Sequence, residues 1–449
     1  MTDAGSLTAS LADFALGADA AHLPVEVRHA VRRAILDSVG VAIAGAKHPA
    51  AGIVVDSLGD LTGAESATLI GFGRRADVVG ATLANGVMAH VLDWDDTLLP
   101  ERLHLSATLL PALLATGEST NARGHDLVAA FAVGFEIQAR LAAAISPVMP
   151  ERGWHGTGVV GGIGVAAAVS RMCGSSALQT THAMGIAGSA AAGLVATFGS
   201  MTKALNLGRA GAAGVHSAQL AARGFTSHPD LLGTGGFLQM YDNAPRVEAV
   251  SDRLGSEWAI LENGYKAYPC GVVAHAAIDA ILELRDQAPP DLPTTIHLTV
   301  SPETVRLMGN PLPSTGLEAK FSVAYAAAAA WLDGTVLPGA FEDAVVRDTA
   351  RQALLRIVRV EASGAVSQDE AVCTVGTSSG WARTAHIEHA RGTRARPLDD
   401  DELRAKFRIA CEVGGSARAD DLINAVEQIE TLDARHLAAM LAADTRSDR

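Results

Sequence analysis

Over the first 265 positions apolar residues recur at a period of three to four, and the elements this predicts are helices. "LPVEVRHAVRRAILDSVGVAIAGA" opens with Pro and an acid in its first turn, keeps helical spacing and closes on glycine. "GHDLVAAFAVGFEIQARLAAAI" repeats the design, while "VGGIGVAAAVSRMCG" and "GRAGAAGVHSAQLAARG" are built from small residues that let helices approach closely. "AMGIAGSAAAGLVATFGSM" is long enough to span a bilayer, but Ala, Gly, Ser and Thr drive insertion weakly, so it reads as a buried core helix. After about Lys266 the texture changes. "TTIHLTVSPETVRLM", "LLRIVRVEAS" and "EAVCTVGTSSGWARTAHIEHARG" carry β-branched residues and alternation, around one helix, "GLEAKFSVAYAAAAAWLDG". Helical pattern returns in "LDDDELRAKFRIACE" and "ADDLINAVEQIETL", and the terminal "DTRSDR" reads as frayed. The predicted organisation is a helical domain over 1–265, an α+β domain over 266–398, and helices over 399–449 that rejoin the first domain.

Length and composition fit this picture: 449 residues, 49% of them apolar, can bury a large core divided into two or three units. "MTDAGSLTAS" has an acid where a secretory leader carries a cation and no apolar core follows, which predicts a cytoplasmic protein. Cys173, Cys270, Cys373 and Cys411 are too scattered for a zinc ribbon or disulfide framework and are expected to be inert core residues. A formal charge of −14 argues against nucleic acid or an anionic membrane as partner. The charge is uneven. From Arg152 to Pro229 there is no Asp or Glu, while Arg171, Lys203, Arg209 and Arg223 are present with four histidines. Such a window is either an anion site or an Ala/Gly core that excludes carboxylates.

Candidate chemistry concentrates in four segments. Gly156-Thr157-Gly158-Val159-Val160-Gly161 matches a dinucleotide fingerprint, but two prolines break the segment before it and no acid follows until Asp230. Its glycines instead suit a helix N-terminus approached closely by a ligand or another helix, with His155 just ahead. In "AHVLDWDDTLLPERLHLSATLLPALLA", Asp93, Asp95 and Asp96 repel one another unless paired, protonated or metal-bound, and Thr97, His104 and Ser106 follow. A hard-cation site wants further carboxylates from another segment, a terpene-cyclase acid wants an aromatic cavity that 4% aromatics supply poorly, and a solvated helix start is the plain alternative. In "GSMTKALNLGRAGAAGVHSAQLAARG", Lys203 and Arg209 either share a ligand or are surface cations. In "ENGYKAYPCGVVAHAAIDAIL", Lys266, Tyr268 and His275 fall at the change of texture, where a cleft between domains is expected.

Taken in order, "NGVMAHVLDWDDT", "GWHGTG", "MTKALNLGRAGAAGVHSAQLAARGFT", "KAYPCGVVAHAAIDA" and "NPLPSTGLEAKFSVAYA" resemble the MmgE/PrpD family over nearly the whole chain. The family includes 2-methylcitrate dehydratases, cis-aconitate decarboxylases and iminodisuccinate epimerases. The resemblance implies a mainly α fold with a large all-helical domain from both chain ends, a smaller inserted α+β lid domain, and a homodimer. It implies chemistry on small di- and tricarboxylates without metal or organic cofactor. Carried over, the cleft would hold Asp93, His104, His155 and Lys203 as catalytic groups. Thr97, Lys266, His275 and, from the unaided reading, Arg209 would bind substrate. Two departures stand out: His104-Leu105-Ser106 replaces the usual His-Pro-Ser after a loop that reads as a residue longer, and Gly271 stands where a second cysteine is common.

The resulting expectation is a cofactor-independent lyase that abstracts a proton next to a carboxylate and dehydrates a hydroxy acid of the 2-methylcitrate type. Decarboxylation of a cis-aconitate-like acid or epimerisation of an iminodisuccinate-like acid could use the same residue types. A non-catalytic carboxylate-binding protein, an iron–sulfur dehydratase and a nicotinamide dehydrogenase are the alternatives of other classes.

Overall fold

Pro24 precedes the first long helix, α1 (Val25–Gly45), and Glu26 stands in its first turn, where unpaired N–H groups favour negative charge. In this computed structural model, which describes residues 6–59, 64–99, 101–233 and 235–442, "DTRSDR" lies outside the described residues. Asp77 caps α2 (Val78–His90) by accepting from the Val79 and Gly80 N–H groups. Next come α3 (Ser106–Thr120), α4 (Gly124–Ile145), α5 (Gly156–Met172), α6 (Ala177–Ser189) and α7 (Thr202–Ala222). Of the described helices only α4 by itself is long and apolar enough to cross a membrane, yet 94% of its apolar window is buried inside the protein. Its apolarity is spent on core packing.

Glycines set how closely these helices approach. A Cβ on Gly208 of α7 would lie 2.3 Å from the Leu83 carbonyl oxygen of α2, and one on Gly86 would lie 2.6 Å from the Gly208 Cα. A Cβ on Gly214 would lie 2.6 Å from the Gly162 carbonyl oxygen of α5. The fingerprint glycines serve the same end: Gly158 faces the Ala192 carbonyl oxygen and Gly161 faces Thr108. No strand runs into Gly156; a short helix, Val148–Glu151, and a turn precede it. The segment read as one buried helix, "AMGIAGSAAAGLVATFGSM", departs from expectation. α6 stops at Ser189, and residues 190–194 form a loop whose Gly193 carbonyl accepts from the His155 N–H (3.0 Å). A run of small residues has no large side chains with which to hold a helix against a core, so the loop can be diverted to wall off a cavity.

A second core is closed by residues between Tyr268 and Ala390. It contains α8 (His275–Gln287), α9 (Pro302–Met308), α10 (Val323–Asp333) and a four-stranded sheet. Strands β1 (Pro293–Val300), β2 (Val358–Ala362), β3 (Ala371–Thr377) and β4 (Ala382–Ile387) lie in the order β2-β1-β3-β4, and only the β1–β2 pair is parallel. β3 alternates buried and half-buried positions, the period-2 signature of one covered face. "GLEAKFSVAYAAAAAWLDG" is interrupted: a turn of helix, Gly316–Ala319, ends at Lys320, and Ser322 caps α10 afresh. From Leu398 the chain rejoins the first core. Asp399 and Glu402 form a capping box on α11 (Asp400–Gly414), whose Phe407 packs on Gly40 of α1. The fold is therefore mainly α with a smaller α+β part. Three cysteines are buried, but Cys173, expected in the core, is exposed at the end of α5.

Gly208→Ala should force α2 and α7 apart, because the atom it meets is backbone, and cost about 1–3 kcal/mol. Chemical denaturation of the variant checks this; an unchanged midpoint would show that the pair is not tightly held.

Candidate active site

α2 ends at His90, and the chain then turns back through Asp93, whose φ of 53° is left-handed and whose N–H donates to the His90 carbonyl (2.9 Å). This turn buries all three carboxylates: Asp93 is 3% exposed, Asp95 1% and Asp96 1%. A solvated helix start is thus ruled out. Asp93 Oδ1 accepts from Lys203 Nζ of α7 (3.1 Å) and from Lys266 Nζ, which also donates to the Asp93 carbonyl (3.0 Å). Asp95 accepts from His90 Nδ1 (2.8 Å), and Asp96 accepts from Ser106 Oγ and Asn263 Nδ2. The backbone is clasped as well. Lys320 Nζ donates to the Leu92 carbonyl (2.7 Å) and Lys406 Nζ of α11 to the Trp94 carbonyl (2.7 Å), Lys406 also pairing with Asp37 (2.6 Å).

The environment separates the three carboxyls. Burial alone would raise Asp93, but Lys203 and Lys266 hold it well below the usual carboxylate range. Burial raises Asp95, and burial together with Asp37 pushes Asp96 up to about 7. The other Asp96 oxygen has no partner among the described residues, which leaves room for a proton.

Three imidazoles gather beside the turn. Burial holds His90, His104 and His155 well below their ordinary pKa, so all three are neutral near pH 7. His90 Nε2 accepts from Lys203 Nζ (2.6 Å), so its proton is on Nδ1, facing Asp95. His104 Nδ1 faces the Asp96 carbonyl (3.0 Å), an acceptor only, and Thr97 Oγ1 (3.3 Å); its proton is there and Nε2 is left basic. His155 is the reverse. Its Nδ1 accepts from Asn206 Nδ2 (3.3 Å), so Nε2 carries the proton, and that nitrogen is buried with no partner among the described residues. Two neighbouring histidines thus present opposite tautomers.

Asp93, His104, His155, Lys203 and Lys266 line one cavity between the two cores, with Phe198, Val272 and Met308 among its apolar walls. The other candidates fall outside it. Thr97 is buried behind His104 as a hydrogen-bond partner. His275 is also buried, against Tyr268, its Nε2 facing the Cys270 carbonyl (3.4 Å). Arg209 is exposed. Six residues along a helix is about 120° away from Lys203 in projection, so the pair cannot share a ligand. Of its cations and imidazoles the acid-free window contributes only His155 and Lys203 to the cavity; Arg171, for one, instead holds the Ala15 and Leu16 carbonyls. Sequence reasoning missed His90, Lys320, Lys406 and Asp37. The first two lie inside quoted motifs, whereas Asp37 and Lys406 sit in ordinary amphipathic helices and carry no local signal.

One donor of each of His90, Asp93, Asp95 and His104 can come within 4.8 Å of the others, a set with the makings of a metal site. The position is contested by the protein itself: ammonium groups already engage His90 Nε2 and Asp93 Oδ1, and two such charges oppose a divalent ion. No strand–glycine–helix cradle for a nucleotide cofactor accompanies Gly156.

The family profile of the MmgE/PrpD N-terminal domain matches residues 9–249, and that of the MmgE/PrpD C-terminal domain matches residues 268–431. Cis-aconitate decarboxylase of Mus musculus is 30% identical over 95% of the chain and 91% of its own length. Cis-aconitate decarboxylase of Homo sapiens is 29% identical over 95% and 92%. Cis-aconitate decarboxylase of Aspergillus terreus is 26% identical over 91% and 89%.

Asp93→Asn should leave two buried ammonium groups without their shared counter-charge and destabilise the fold by about 3–5 kcal/mol; denaturation at pH 7 measures it, and a loss below about 1 kcal/mol would mean the lysines find other partners. Asp96 carries the opposite linkage. Its folded pKa lies above the unfolded value, so its contribution is intact below about pH 4 and is lost as pH rises toward 7. The stability of Asp96→Asn relative to wild type should therefore climb by a few kcal/mol from about pH 4 to 7 and then level. A difference independent of pH would mean that Asp96 is ionised in the folded state.

Proposed function

The chain belongs to the MmgE/PrpD family, and from that premise we propose that it is a cofactor-independent lyase that decarboxylates a cis-aconitate-like tricarboxylate. The observation that carries this reading is the pair of oppositely protonated imidazoles, His104 and His155, flanking the Lys203–Asp93–Lys266 group in one cavity. The named relatives shift the weight from dehydration, the first expectation, to decarboxylation.

Loss of CO2 from the carboxymethyl arm breaks a C–C bond, and its electron pair forms a new terminal methylene. The original double bond then places charge on the carbon next to a retained carboxylate, and that carbon must take one proton. Lys203 and Lys266 stabilise the charge as it spreads onto that carboxylate. His155 is the proton donor: a trianion raises the pKa of a buried imidazole, so His155 takes up a proton at Nδ1 on binding, the Asn206 amide turning its oxygen to accept it, and delivers the proton already on Nε2 to carbon. Apolar walls at Val272 and Met308 leave the departing carboxylate poorly solvated, and its product, CO2, is neutral. Dehydration of a 2-methylcitrate-like acid would use the basic Nε2 of His104 to remove a proton instead. That second reading rests on the same tautomer.

Proton NMR in D2O decides between them. With cis-aconitate, a terminal methylene should appear, and the carbon next to the retained carboxylate should gain one deuterium. His155→Ala should lower kcat at least about 100-fold. Faster loss of water from 2-methylcitrate would replace decarboxylation with dehydration, and an inert mixture with both acids would overturn the lyase reading.

A further inference from the structure

The same cavity has a second, outer cluster of charge that the reaction above does not use. Arg102 stands in the loop before α3 with a left-handed φ of 58°, and Arg306 lies on α9 of the smaller unit; both line the cavity. Glu303, also on α9, pairs with both: Arg102 Nη2 lies 2.7 Å from its Oε1 as an ion pair, while Arg306 donates from Nη2 to Oε1 (2.6 Å) and from Nε to Oε2 (2.6 Å). Arg102 Nη1 is further fixed by Gln368 Oε1 (2.5 Å). Two guanidinium groups, one from each structural unit, are thereby held side by side by one carboxylate. Arg102 Nε and Arg306 Nη1 keep N–H groups with no acceptor among the described residues. Glu101, the other acid on this part of the lining, feels the charge of Arg246 more than that of Arg102. Two arginines against Glu303 leave one positive charge in excess, which Glu101 offsets only when ionised, a state that its burial disfavours.

We propose that Arg102 and Arg306, clamped by Glu303, form an outer subsite that reads a second carboxylate of the substrate, away from the one held by Lys203 and Lys266. This rests on the reading of the cavity as a carboxylate site and extends it. Planar guanidinium groups suit a carboxylate better than water, and half-buried charge-assisted hydrogen bonds survive screening that would erase them on an open surface. The cavity then has a cationic group at each end and apolar wall between, so it selects for the number and spacing of acidic arms. A monoacid of the same shape would fill one end only. Because the two arginines come from different units, a bound carboxylate would also tie those units across the cavity mouth.

Calorimetric titration of wild type, Arg102→Gln and Arg306→Gln tests this with three acids. They are cis-aconitate; citraconate, the same skeleton without the carboxylate of the carboxymethyl arm; and trans-glutaconate, without the central carboxylate. The variants should bind cis-aconitate about tenfold or more weakly, and the dicarboxylate lacking the arm that is read should bind wild type and variants alike. Arg306 is 42% exposed in its side chain, so its variant keeps the test open should Arg102→Gln not fold. Unchanged binding of cis-aconitate in the variants, or equal weakening of all three acids, would overturn the subsite. Wild type that binds cis-aconitate without releasing CO2 would remove the decarboxylase reading and leave the subsite standing; wild type that binds none of the three would remove both.

Discussion

The structure depends on one buried electrostatic knot: the turn at residues 92–96, gripped by four lysines. Lys203 and Lys266 take the Asp93 carboxylate, Lys320 the Leu92 carbonyl and Lys406 the Trp94 carbonyl. These lysines come from four separate stretches of chain: helix α7, the junction between the cores, the break before α10, and helix α11. Desolvating four ammonium groups is expensive, and burial pushes Lys320 down to about 7. The arrangement holds because Asp37 and Asp93 supply full counter-charge and the remaining donors meet carbonyl oxygens. Any large displacement of one segment would strand a buried charge, so the knot ties the smaller core and the C-terminal helices to α2.

That knot also sets the protonation state of its surroundings. Ammonium groups add to burial in keeping His90, His104 and His155 neutral, since both effects disfavour a further positive charge. Neutral imidazoles have distinguishable nitrogens, and neighbours choose the tautomer: the Asp96 carbonyl fixes one for His104, and the Asn206 amide fixes the other for His155. The same residues that shape the turn thus divide acid from base. Helix spacing contributes too, because the glycines at 86 and 208 let α2 and α7 approach until Lys203 reaches both Asp93 and His90.

Much of the helical class was legible because amphipathic periodicity and caps such as Asp399 act locally; α1, α4 and α11 begin and end within a few residues of the pattern. Legibility failed where local preference was weak or overruled. The Ala/Gly/Ser run after Ser189 had no side chains to decide between helix and loop, and Lys320 broke an Ala-rich helix to reach a distant carbonyl. In the site, Asp93, His104, His155, Lys203 and Lys266 were singled out by dense motifs, and they do share a cavity. Arg209 is exposed about 120° around α7 from Lys203, and His275 is buried outside the cavity lining. Lys406 and Asp37 were invisible because a lysine or aspartate on an amphipathic helix is ordinarily solvated; only their pairing across 369 positions makes them interior residues.

Asp93 poses a question of charge economy, since a carboxylate is an odd neighbour for the anionic substrate proposed above. Without it, two ammonium groups in a dry cavity would repel each other and shed a proton, leaving a neutral amine that cannot stabilise developing charge. With it, the Asp93 carboxylate offsets one of the two ammonium charges, so the trio keeps a net charge of +1, enough to hold one carboxylate. Its pKa, held well below the usual range, means that it stays ionised and takes no proton from the reaction. In the proposed reaction, proton transfer is thereby left to the imidazoles, whose buried neutral state responds most to the arrival of an anion. A buried acid beside two bases therefore makes the cavity selective for when, as well as where, positive charge appears.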